Sequence, residues 1–314
     1  MIQYLIVLLD DTSISFCNYQ TKEGEGKLIT LEDLKKAILF GMKGNMQIQF
    51  VYPQKQLPTE YSKAIETIDH CKIRPFCQSQ ENNVVLVLND WNQINKVEKG
   101  KNIVLRTCKA DLFSQYMCLI EAIRRGCVVN LVIDDVETFG PDDFQKYSDI
   151  LAKMVSEFGI MIEQGLIPQL NILTDRLVLR EMNNCGAGDR SITLAPNGKF
   201  YICPAFYYEN ENDYVGDLSK GLNIENQQLY KLSHSPICSH CDAFQCKRCV
   251  WLNRKMTLEV NTPSYEQCVV SHLERNASRA LIEKMKEMGK NTSQMAEIKE
   301  IDYLDPLTKH KEWQ

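Results

Sequence analysis

Cysteine is the residue type in this sequence with the most chemistry in it. The chain of 314 residues holds thirteen. Cys17, Cys71, Cys77, Cys108, Cys118 and Cys127 are scattered over the first half, whereas Cys185, Cys203, Cys238, Cys241, Cys246, Cys249 and Cys268 crowd into one shorter region. In PICSHCDAFQCKRCVW, two residues separate Cys238 from Cys241, four separate Cys241 from Cys246, and two separate Cys246 from Cys249. A two-residue gap lets paired thiolates turn onto the same ion, and soft sulfur donors select zinc or iron–sulfur clusters over calcium or magnesium. Four cysteines would close one tetrahedral zinc site and leave Cys185, Cys203 and Cys268 over, so the full set of seven fits two clusters better. The odd count and the lack of an export signal argue against a disulfide framework. Lys247, Arg248 and Arg254 could offset thiolate charge or be solvated surface residues, and Trp251 could shield a centre from water or be an ordinary core anchor.

The elements that must carry these thiols follow from the apolar pattern. Short, often β-branched runs at Ile2–Leu9, Ile48–Tyr52, Val84–Leu88, Ile103–Leu105, Val128–Ile133 and Leu170–Leu173 read as six buried parallel strands. Helical patterns lie between them at Leu31–Phe40, Glu60–Ile68, Leu112–Arg125 and Asp142–Glu163, with a shorter one near Asp90–Glu98. Thr30 before Glu32 and Asp33, and Pro141 at the head of the long helix, are start signals. Six βα units fit an open barrel or a doubly wound sheet equally well, and in both a ligand collects beyond the carboxyl ends of the strands. Asp10, Asp11, Thr12, Ser13, Cys17, Tyr52, Pro53, Gln54, Asn89, Asp90, Asp134, Asp135, Thr174 and Asp175 are expected at that rim. Asp134 and Asp135 could form a proton-transfer pair or a polar turn. Beyond Asp175 the pattern changes. Ser191–Leu194 and Lys199–Ile202 flank Pro196, Asn197 and Gly198 as a hairpin, Glu225–Leu232 reads as a short helix, and Tyr265–Met288 reads as a long one before a charged tail.

Composition narrows the function. Lysine plus arginine number 36 against 41 aspartate plus glutamate, a formal charge of -5. No basic excess is present to hold a nucleic-acid backbone. No apolar run approaches the roughly 18 to 20 residues that span a bilayer, so the expected location is cytoplasmic, with no membrane partner. The sequence has no zinc-protease helix, phosphate loop or nucleophile elbow.

The cysteine region resembles the SPASM domain, the auxiliary-cluster module of radical S-adenosylmethionine enzymes that modify peptides. Cys185, Gly198 and Cys203 in CGAGDRSITLAPNGKFYIC match its opening, and Cys238, Cys241, Cys246, Cys249 and Cys268 match the rest. The resemblance implies two 4Fe-4S clusters. Cys238, Cys241, Cys246 and Cys268 would hold one, and Cys185, Cys203 and Cys249 the other, whose fourth ligand would be open or drawn from His234, His240 or Asp189. Zinc is the alternative metal.

The first-strand loop departs from that family. It reads LLDDTSISFCNYQ, with Asp10 and Ile14 where two of the three CxxxCxxC cysteines belong and only Cys17 in place. YPQKQLP replaces the glycine-rich GGEP segment. These departures argue against S-adenosylmethionine (SAM) binding and ordinary radical-SAM activity. A degenerate barrel followed by a nearly intact SPASM region resembles the pseudo-radical-SAM proteins, and DDTSISFCNYQ and IQFVYPQKQLP look like the maturases of CXXX-repeat peptide systems. The implied architecture is a degenerate radical-SAM-like (βα)6 barrel over 1–180, a SPASM-like iron–sulfur domain over 181–270, and a C-terminal helix and tail over 271–314. The implied function is an iron–sulfur maturase acting on a ribosomal, cysteine-rich precursor peptide at its incompletely ligated cluster. The alternatives are a non-catalytic precursor-binding or electron-transfer partner of a second maturation enzyme, and a zinc-stabilised peptide-binding protein.

Overall fold

A computed structural model describes residues 2–76 and 84–298. Cys77 and the charged tail beyond 298 lie outside the described residues. In chain order the first elements are β1 (Tyr4–Leu8), α1 (Leu31–Lys43), β2 (Gln47–Val51), α2 (Thr59–Ile65), β3 (His70–Pro75), β4 (Val84–Leu88), α3 (Trp91–Ile94), β5 (Asn102–Thr107), α4 (Lys109–Arg124) and β6 (Val128–Ile133). They are followed by α5 (Pro141–Glu163), β7 (Gln169–Leu170), α6 (Asn171–Val178), β8 (Ser191–Leu194), β9 (Phe200–Tyr201), α7 (Pro204–Glu209), β10 (Gly216–Asp217), β11 (Gly221–Leu222), α8 (Val250–Thr257) and α9 (Tyr265–Glu287). The chain divides into two compact units.

The first unit comprises Met1–Val87 and Cys185–Ser235. Its strands run in the order β4-β3-β2-β1-β8-β9, all parallel except the β8–β9 hairpin. β1 is apolar on both faces, as a central parallel strand must be. Leu5, Val7, Phe50, Ile192 and Phe200 form its core with Leu34, Ala37 and Ile38 of α1 and Tyr61 and Ile65 of α2. Thr30 caps α1 by accepting the Asp33 N–H at 3.0 Å. The hairpin expected around Pro196–Gly198 is present: Leu194 pairs with Phe200, and Gly198 takes the turn at φ +76°.

Sequence pattern missed β3. HCKIRP has no apolar run, yet it pairs in parallel with β2 on one side and β4 on the other. Backbone pairing on both edges makes it a strand where side chains give no signal.

The second unit comprises Leu88–Asn184 and Pro236–Gln314. Its strands run β7-β6-β5, all parallel. The long helices α5 and α9 pack together, and the Tyr147 hydroxyl of α5 donates to Glu274 of α9 at 2.9 Å. α6 joins α9, where the Ser278 hydroxyl donates to the Leu173 carbonyl at 2.8 Å.

The expected sixth strand at Leu170–Leu173 is corrected. Only Gln169–Leu170 is extended, and Asn171–Val178 is helical. Ile172, Leu173, Arg176 and Leu177 are buried, the three- and four-residue recurrence of a helix. The Asn171 amide takes over the edge of β6, accepting the Leu131 N–H at 2.7 Å and donating to the Leu131 carbonyl at 3.1 Å. Thr174 and Asp175 consequently sit on a helix rather than at a strand end.

Candidate functional site

Both units contain groups of side chains that carry chemistry. In the first, the loop after β1 is organised by its own polar residues. Asp10 is 1% exposed and accepts the Thr12 N–H at 2.8 Å and the Thr12 hydroxyl at 3.1 Å. Burial pushes its carboxyl up, opposed by those two Thr12 bonds. The Ser13 hydroxyl donates to the Val51 carbonyl at 2.9 Å. Asp11 accepts the N–H of Lys27 at 2.8 Å and of Glu25 at 3.2 Å, which folds the following segment back onto the loop. The Tyr208 hydroxyl donates to the Ser13 carbonyl at 3.2 Å, and its ring stacks on Tyr19 at 5.5 Å. Ile14 is buried, with its N–H on the Tyr52 carbonyl at 3.0 Å. The positions that would bear cysteines in a cofactor-cleaving loop therefore carry a capping carboxylate and a core side chain.

At the strand ends of the second unit, Arg106 is 6% exposed, pairs with Asp134 at 3.3 Å and donates to Asn89 at 3.4 Å. Asp135 accepts the Lys109 N–H at 2.8 Å at the head of α4. Burial raises its carboxyl and that bond lowers it. This is the polar-turn reading of the Asp134–Asp135 pair.

The cysteine segment belongs to the second unit from Pro236 onward, together with the first turn of α9. Cys238 and Cys246 are buried, and Cys241 and Cys268 are half-buried. The four thiols share one neighbourhood. Burial pushes the Cys246 thiol up to about 12, with further raising from Cys238 and Cys241, while a Ser271 hydrogen bond and the Arg248 N–H pull it down. Cys268 is raised still further, by burial and then by Cys246, Cys238 and Cys241. Cys241 Sγ lies 3.4 Å from His272 Nε2 and accepts the Ala243 N–H at 3.4 Å.

This neighbourhood does not make a metal site. Among the described residues no group of three or more His, Cys, Asp or Glu side chains is arranged to hold a metal ion. Of the other expected set, Cys185 and Cys203 belong to the first unit and Cys249 to the second. Cys203 precedes α7, and Cys249 caps α8 by accepting the Leu252 N–H at 3.5 Å. Cys185 is exposed. Because no such ligand group is found among the described residues, the expectations of two 4Fe-4S clusters, of a zinc alternative, and of an iron–sulfur or metal-binding enzyme are overturned.

The polar chemistry that sequence reading missed lies beside these thiols. Asp242 is clasped by two guanidinium groups: Arg275 through Nε and, at 2.9 Å, through Nη2, and Arg176 at 3.4 Å. Arg176 also lies over the Phe244 ring at 4.3 Å. Glu274, buried within α9, accepts the Tyr147 hydroxyl at 2.9 Å. The spacing of Gln267, Ser271, Glu274 and Ser278 along one helical stripe was the available signal, since that stripe alternates with apolar residues on the packed face.

No family model matches the chain, and neither does any curated protein. Solved structures do. anSMEcpe with bound AdoMet is 12% identical over 99% of both chains, with a TM-score of 0.62. anSMEcpe with bound AdoMet and Cp18Cys peptide is 14% identical over 91% of this chain and 99% of that one, with a TM-score of 0.58. The same protein with Kp18Cys peptide gives 12% identity and a TM-score of 0.57 over 90% of this chain and 99% of that one. The fold resembles a radical-SAM-like βα fold with a SPASM-like C-terminal helical region. At these identities the likeness is one of fold. Among the described residues, no helix is long and apolar enough to cross a membrane.

Proposed function

We propose that this chain binds a ribosomally made precursor peptide and presents it to a separate maturation enzyme without performing the modification itself. The observation that carries this reading is the fold shared with anSMEcpe, two of whose structures contain bound peptide. The loop after β1 supports a binding role over a cofactor-cleaving one, because its Asp10, Ser13 and Tyr208 hydrogen bonds use the loop to stabilise itself. The motifs DDTSISFCNYQ and IQFVYPQKQLP support a narrower assignment to CXXX-repeat peptide systems. In this reading the functional division is a barrel-derived part over 1–180, a SPASM-like part over 181–270 and a C-terminal part over 271–314.

The test is titration of the purified chain with a fluorescently labelled cysteine-rich precursor peptide of CXXX-repeat type, against a scrambled control, followed by mass spectrometry of the peptide. Saturable binding on the order of micromolar is expected, with peptide mass unchanged until a second maturation enzyme is added. Equal binding of the scrambled peptide, or a mass change produced by this chain alone, defeats the reading.

A further inference from the structure

Cys241 of the second unit has a base against its sulfur. It lies half-buried at the end of the 3-10 turn Cys238–His240, and its Sγ is 3.4 Å from Nε2 of His272, a buried side chain of α9. The Ala243 N–H donates to the same sulfur at 3.4 Å. An imidazole in that place can take the thiol proton, and a main-chain donor steadies the thiolate that forms. The neighbouring carboxylate does not compete for this role, because Asp242 is held by Arg275 and Arg176.

A second thiol stands one turn behind it. The Cys241 N–H donates to the Cys238 carbonyl at 3.3 Å, closing the 3-10 turn. Side chains three residues apart eclipse in such a turn, and its rise puts their Cα atoms roughly 6 Å apart, inside the span a disulfide bridges. Cys238 is 6% exposed, so the pair has an outer thiol that a substrate reaches first and an inner one behind it. An attacking and a resolving sulfur at this spacing are what a C-x-x-C pair needs for thiol–disulfide exchange. The other two-residue gap is built differently: Cys246 is buried and its sulfur accepts the Arg248 N–H at 3.4 Å, while Cys249 caps α8.

We infer that Cys238, Cys241 and His272 form a thiol–disulfide exchange site whose substrate is an accessible disulfide. His272 takes the Cys241 proton, and the thiolate attacks one sulfur of the substrate. The substrate S–S bond breaks, a mixed disulfide forms on Cys241, and the departing thiolate leaves with the proton from His272. The Cys238 thiol then attacks Cys241 Sγ, gives its own proton to the second departing sulfur, and leaves a Cys238–Cys241 disulfide. The substrate gains two electrons and two protons, the chain loses them, and a dithiol reductant restores the starting pair. Because the site acts only on an existing disulfide, a reduced precursor peptide keeps its mass, and the inference stands or falls separately from the peptide-presenting reading.

The experiment treats the reduced full chain anaerobically with glutathione disulfide and, separately, with an oxidised CXXX-repeat peptide, followed by alkylation and mass spectrometry. A Cys238–Cys241 disulfide is expected, with two substrate thiols released for each one formed. Cys238→Ser is expected to stop the reaction at the mixed disulfide on Cys241, and Cys241→Ser to abolish it. His272→Gln is expected to slow formation of the mixed disulfide by roughly tenfold at neutral pH, with the deficit closing as alkali ionises the thiol directly. A purely structural histidine would leave the shape of that pH profile unchanged. Reaction with glutathione disulfide alone assigns the site to small disulfides, and reaction with the peptide assigns it to peptide disulfides. If His272→Gln does not fold, trapping in Cys238→Ser decides the matter. No reaction with either disulfide, a trapped adduct on a cysteine other than Cys241, or an unchanged rate in folded His272→Gln overturns the site.

Discussion

Asp242 stands between two arginines that are each 1% exposed, so its single carboxylate is the shared anion of two buried cations. Asp242→Asn leaves both guanidinium groups without their anion. A loss of about 3–5 kcal/mol is expected, the size seen when one partner of a buried pair is removed, and urea unfolding measures it. Glu274 gives the opposite lesson. Its carboxyl is raised from 4.5 to about 7 in the fold, so its contribution to stability is fully present below the unfolded value and is lost as pH rises through the folded one. The span is worth about 3 kcal/mol. The wild-type chain should therefore lose stability as pH rises from about 4.5 to about 7. Glu274→Gln should flatten that part of the profile, and a pH series of urea midpoints reads the difference. Neither group was legible from residue type, because burial inside α9 and the loop decides both.

At the scale of elements, α1 and its strands show which local signals are reliable. Thr30 was readable as a start signal and does cap the helix. Thr30→Ala should lower stability by about 1 kcal/mol, measured by thermal unfolding. Gly41 was not readable as a packing residue. A Cβ there would meet Ile48 Cδ1 at 2.6 Å and Leu5 Cδ2 at 3.4 Å, and both side chains are buried. Gly41→Ala gains helix propensity of about 1 kcal/mol but overpacks a closed core at roughly 1–3 kcal/mol, so destabilisation should win. The same contrast explains β3 and α6. A strand paired on both edges needs no apolar run, and a short run such as Leu170–Leu173 can be strand or helix until a neighbour such as Asn171 caps the adjoining edge.

For the whole molecule, the proposed peptide-binding role makes a thermodynamic prediction. A ligand that binds only the folded chain raises its stability by about 2.7 kcal/mol at a hundredfold excess over the dissociation constant. The precursor peptide should therefore move the thermal unfolding midpoint upward in proportion to the logarithm of its concentration, while the scrambled peptide leaves it in place. Calorimetry with both peptides checks this.

The sequence by itself determined the alternation of strands and long helices, the hairpin at Pro196–Gly198 and the departure of the first-strand loop from a cluster-binding pattern. These rest on periodicity, turn chemistry and residue identity, all of which act over a few neighbouring positions. Only the tertiary structure decided what the cysteines do. Spacing shows that thiols can approach one another, but holding a metal requires thiolates with a shared geometry. That geometry belongs to the fold, and among the described residues no group of three or more His, Cys, Asp or Glu side chains is arranged to hold a metal ion.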